Sequence, residues 1–79
     1  MSEKLQLSEE EVKKAMRLVT YADEATRALL VNAFILHKKK HGGLESDSVH
    51  RMLQHVHNSG LISGDIAQSA QQKIFQAAA

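Results

Sequence analysis

From Ala28 to Leu36 the chain reads Ala-Leu-Leu-Val-Asn-Ala-Phe-Ile-Leu, apolar at every position except Asn32. Wound into a helix, such a run is greasy on nearly every side, and a helix of that kind has to be covered by its own chain or by a partner. Little chain is on hand to do it: 79 residues make a single domain, 1–79. The run is therefore either the central helix of a monomer or an interface with a second copy or another protein. Asn32, if enclosed, needs hydrogen-bond partners, and a paired asparagine across a symmetric contact is one source.

The rest of the sequence is built for helices. It contains no proline, and no cysteine for a disulfide or a thiolate zinc site. Ser8 and Glu11 form a capping-box pair, with Leu7 and Val12 spaced as a hydrophobic staple across it. Val12, Ala15, Met16 and Val19 then recur on one face, which predicts a helix over 9–20. Residues 1–6 are expected to be disordered. Near Tyr21 the pattern breaks, Thr20 or Asp23 being able to cap a second helix over 24–40, although one continuous helix is the alternative. Lys38-Lys39-Lys40 and Gly42-Gly43 mark its end, as cations and a left-handed glycine commonly do. A third helix over 47–58 carries Val49, Met52, Leu53 and Val56, with Ser46 or Ser48 as its cap. Ser63 caps a fourth over 64–77, with Ile66, Ala70 and Ile74 inward, Gln68, Ser69, Gln71, Gln72 and Gln76 outward, and frayed terminal alanines. The expected fold is all-α, a bundle of three or four helices made of two antiparallel hairpins. Its core is Val12, Met16, Val19, Leu29, Leu30, Phe34, Val49, Met52, Leu53, Val56, Ile62, Ile66 and Ile74.

Charge excludes little, since the net value is +1, but its distribution is uneven. The chain is acidic through Thr26, basic from Arg27 to Arg51 and balanced beyond. The first eleven residues include four carboxylates and no long apolar run, unlike a secretion signal. The run at 29–36 is far shorter than the roughly 20 residues a bilayer requires. A soluble cytoplasmic protein without a membrane partner is the expectation.

No constellation specifies chemistry. His37 and His41 share a helix face, as do His50 and His57, but zinc needs three or four converging ligands, and the sequence has no His-Glu-x-x-His. The serines read as caps, and neither a phosphate loop nor a nucleophile elbow occurs. No catalytic residue, metal, cofactor or small-molecule substrate is assigned. The expected function is that of a small regulatory or adaptor protein acting through helix-mediated protein binding, as a homodimer or with another protein. Its interface would comprise Leu29, Leu30, Asn32, Ala33, Phe34 and Leu36.

The alternative is nucleic-acid binding through Arg27, Lys38, Lys39, Lys40 and Arg51, helped by Gln68 and Gln72. Residues 47–77 partly resemble a helix-turn-helix, with Gly60 as the turn glycine, Leu61 after it and Ile66 inward. Val56 stands where that pattern favours a small residue, and Ser69 where it expects a second buried apolar one. A second likeness rests on Leu53 to Phe75, with Gly60-Leu61-Ile62-Ser63 at the turn and Lys73-Ile74-Phe75 beyond. This stretch is similar to the short C-terminal helical hairpins of the SHOCT type. The resemblance implies an oligomerisation or interaction element, although Gly64-Asp65-Ile66-Ala67 stands where an acidic run normally follows the turn.

Overall fold

The computed structural model describes residues 4–79. Its elements run β1 (Lys4–Leu5), α1 (Glu9–Arg17), α2 (Glu24–His41), β2 (Leu44–Glu45), α3 (Ser46–Asn58) and α4 (Gly64–Ala78). The protein is thus a small, mostly α-helical bundle, with a two-strand antiparallel pairing of Lys4 with Glu45 and Leu5 with Leu44.

Local chemistry sets the helix starts. Glu11 N–H donates to Ser8 Oγ at 3.2 Å, while Ser8 N–H donates to Glu11 Oε1 at 3.0 Å, closing the capping box. The Ser8 N–H bond is the main reason that the Glu11 carboxyl titrates below its ordinary value, because it favours the charged form. Leu7 and Val12 flank this box and are both buried, as a staple requires. Thr26 N–H donates to Asp23 Oδ1 at 2.8 Å, starting α2 and lowering the Asp23 pKa for the same reason. Ser63 caps α4 by accepting from the Ile66 N–H. At the far end of α2, Gly42 takes φ 72° and both it and Gly43 donate to the Lys38 carbonyl, a left-handed cap that only glycine adopts without cost.

Four expectations change. α1 stops at Arg17 rather than at residue 20, because Leu18 and Val19 close the helix with shorter turns and Tyr21 swings to φ 63°. The two first helices are therefore separate. α3 begins at Ser46 behind Glu45, which makes no side-chain capping bond, so neither Ser46 nor Ser48 is the cap. α4 holds its turns to Ala78 instead of fraying at the terminal alanines, since Ala77 and Ala78 pack on the core. The disorder expected over 1–6 gives way to β1 at Lys4–Leu5, and its remaining part at 1–3 lies outside the described residues.

α1 packs against both α2 and α4, and α3 packs on α4. α1 and α4, not α2, are thus the inner helices. Val12, Met16, Val19, Leu30, Phe34, Leu44, Val49, Leu53 and Ile74 are enclosed almost completely. Leu29, Met52 and Ile66, expected inside, are only partly covered. Leu44 entered the core unannounced, brought in by β2. Ser69 departs most from expectation: placed outward by the pattern, it is 8% exposed. Its Oγ accepts from the Thr20 N–H at 3.0 Å and from Thr20 Oγ1 at 3.2 Å, tying the α1–α2 connection to the middle of α4.

Candidate functional site

Only one side of α2 is used for packing. Leu30 and Phe34 face inward and are 0% exposed, so they are core residues and not part of an interface as the sequence suggested. On the opposite side, Ala25, Ala28, Asn32 and Leu36 are exposed, with Leu29 and Ala33 half-covered at the edge. Leu36 is 66% exposed. Spacings of three, four and seven residues place Ala25, Leu29, Asn32 and Leu36 in one line along the helix. Asn32 thus points to solvent and has no need of a buried partner. The apolar run is half sheathed: one side supplies the core, and the other is bare.

The flank of this face toward α1 deepens into a cleft of about 430 Å³ that includes Ala28 and Asn32. Lys13, Arg17 and Arg27 line it, with Glu24 opposite in charge. Arg27 is half-buried, and its Nη2 donates to the Val19 carbonyl at 3.0 Å. Its Nε is shut away from solvent with no hydrogen-bond partner. Sequence reasoning placed Arg27 in a basic patch with the lysines, and missed that the length of α2 carries it to the opposite end of the helix from them.

The residues of the nucleic-acid alternative do not converge. Arg27 lies eleven residues before Lys38 on one helix, about 16 Å away along its axis. Lys39 pairs with Glu9 at 3.7 Å, and Lys38 acts on Glu11. Lys40 and Arg51 instead flank His37, whose rings with His41 stand 4.4 Å apart at 40°. Burial, and then the charges of His41, Lys40 and Arg51, lower the His37 pKa, against a smaller pull from Glu45. Gln68 and Gln72 are elsewhere, in a groove of about 780 Å³ between α3 and α4. Gln54, Gln71, Gln76, His50 and His57 line it too, and among the described residues no Lys, Arg, Asp or Glu does. His57 Nδ1–H donates to the Ile62 carbonyl at 3.1 Å and pins the turn, while His50 Nδ1 meets Gln71 Oε1 at 3.2 Å. A groove without cations gives phosphates no electrostatic grip.

Compared with family models, with curated proteins and with solved structures, the chain finds no match in any of the three. The function has to be argued from its surface. Among the described residues, no three His, Asp or Glu side chains gather as a metal ion would need, and no helix is long and apolar enough to cross a membrane. Among the described residues three other large apolar side chains stand out in solvent: Leu61 in the α3–α4 turn, and Leu18 and, at 83% exposure, Tyr21, both in the connection between α1 and α2. Tyr21 at φ 63° is an outlier for an aromatic residue, and strain of this kind is paid for by the surrounding fold. The Thr20–Ser69 bonds beside it are part of what holds it there.

Proposed function

We propose that this protein is a small, non-enzymatic regulatory or adaptor module of the cytoplasm that binds other proteins through the outer face of α2. The occupant is another protein, a second copy of the chain being the alternative. The observation that supports the reading is Leu36, a leucine two-thirds exposed on a helix whose inner side already fills the core. Exposed leucines are ordinary one at a time. Here Leu36 stands in line with Ala25, Leu29 and Asn32, the arrangement by which helices dock on one another. The resemblance of residues 53–75 to interaction hairpins of the SHOCT type points the same way. The nucleic-acid reading has no comparable support, because its cations are spread over separate faces of the bundle.

The test is a Leu36→Asp variant beside the wild type, with mass followed by sedimentation over a wide concentration range. Proteins captured from nuclease-treated extract are compared between the two forms. Leu36→Asp melts like the wild type, since the side chain is already in water, yet loses self-association or its captured partner. A wild type that stays monomeric, together with a variant that captures the same proteins, would sink the reading.

A further inference from the structure

The α1–α2 cleft opens onto the α2 face through Ala28 and Asn32, and it is the part of that surface with a chemical preference. We propose that the cleft selects the partner, and that this partner presents an acidic amphipathic segment. Such a segment would set a carboxylate between Arg17 and Arg27 and an apolar side chain against Ala28 and Val31. The inference rests on the α2 face being a protein-binding surface.

Charge decides the sign of the ligand. Three cations, Lys13, Arg17 and Arg27, line the cleft against the single carboxylate of Glu24. Lys13 is not withdrawn by its contact with Glu10, a pair at 3.6 Å whose partners are both well exposed, and exposed pairs of this kind are loose. Arg27 adds a reason for an anion to come. Its guanidinium is half removed from water, anchored by a hydrogen bond from Nη2 to the Val19 carbonyl, with Nε enclosed and unpartnered. Asp23, one turn earlier, feels this charge but spends its carboxylate on the Thr26 N–H as the cap of α2, so the half-buried guanidinium is left incompletely matched. A planar guanidinium fixed on one edge also offers its free edge to a carboxylate in defined geometry.

The lining decides the class. Ala28 and Val31 give the cleft an apolar wall, which a phosphate backbone would leave unused and an amphipathic peptide would fill. A second copy of this chain is a poor source of the carboxylate. Its acidic helix, α1 with Glu9, Glu10 and Glu11, has already spent its apolar face on the core through Val12, Ala15 and Met16.

The experiment uses two fluorescein-labelled peptides with leucines at helical spacing, one carrying glutamates and the other glutamines at the remaining positions. Each is titrated by anisotropy with the wild type, Arg17→Glu and Leu36→Asp, all checked for unchanged melting. The glutamate peptide is expected to bind about tenfold tighter than its glutamine counterpart, and to lose that advantage between about 0.05 and 0.5 M salt. Arg17→Glu erases the preference, whereas Leu36→Asp weakens both peptides alike. Equal binding of the two peptides, abolished by Leu36→Asp, overturns the acidic preference and leaves the α2 reading standing. Binding of neither overturns the inference, and the α2 face is then judged by sedimentation and capture. Displacement of the glutamate peptide by a random DNA duplex, lost in Arg17→Glu, overturns it in favour of a phosphate site.

Discussion

Replacing Ser69 by alanine takes away the acceptor of two hydrogen bonds, from the Thr20 N–H at 3.0 Å and from Thr20 Oγ1 at 3.2 Å. The two losses are unequal. Thr20 is exposed, so its hydroxyl turns to water and little is lost there. The backbone N–H is held in place by the chain and sits in a part-buried contact, so it contributes most of the cost, about 1–1.5 kcal/mol. Alanine returns roughly 0.5 kcal/mol through its better helix propensity. Leaving the connection between α1 and α2 less firmly held against α4 adds to the loss, and the net expectation is about 1 kcal/mol. For a domain of this size that lowers Tm by about 4–8 °C. Urea and thermal unfolding followed by far-ultraviolet circular dichroism measure both quantities, and the urea m-value is expected to stay constant. A Thr20→Val variant and the double mutant apportion the effect: the hydroxyl pair alone should couple by less than half of the total. Ser69→Ala at full or increased stability would refute the account. It would mean that position 69 behaves as an apolar core site, as helix-turn-helix packing would have it.

The other predictions concern single side chains and pH. Tyr21→Asn should stabilise the protein by about 0.5–1 kcal/mol in the same unfolding assay, since asparagine tolerates the left-handed region and the ring is in solvent. Phe34→Ala should cost about 3–5 kcal/mol, enough to unfold much of the population, while Leu36→Ala stays within about 0.5 kcal/mol of wild type. The Glu11 and Asp23 pKa values are depressed in the folded state, so their stabilising contribution is present above the ordinary carboxylate values of 4.5 and 3.8 and is lost as pH falls through the folded values. Glu11→Gln should shrink that acid-side loss in denaturation curves. His37 is also depressed, so the unfolded chain takes up its proton first. Stability should fall as pH drops below 6.5 toward the folded value, and His37→Asn should flatten that slope.

Much of this fold is legible in the sequence, and the parts that are not share a cause. Helix ends depend on a few neighbouring residues, so Ser8 with Glu11, Asp23 and Ser63 announce starts and Gly42 a stop. What a helix packs against is not local. The run at 28–36 declares that it is apolar, but its order cannot say that Leu30 and Phe34 turn inward while Leu36 turns out. Leu44 is buried through a two-residue strand, too short to have a period. Ser69 lies on a stripe of glutamines and reads as surface until Thr20, 49 positions earlier in the chain, is brought to it. Arg27 belongs by sequence with the basic segment after it, and joins Lys13 and Arg17 only because α2 folds back on α1. The α2 candidate face was thus half visible as composition, and the cleft beside it was not visible at all.

The twist at Tyr21 has a practical outcome. It is the only tyrosine in a chain without tryptophan, so nearly all absorbance and emission excited around 280 nm come from one phenol. That phenol is carried two residues beyond the carbonyl that fastens Arg27. Nature has left a native optical reporter in the connection between α1 and α2, and a partner that covers that connection should register in its quenching without a dye being attached.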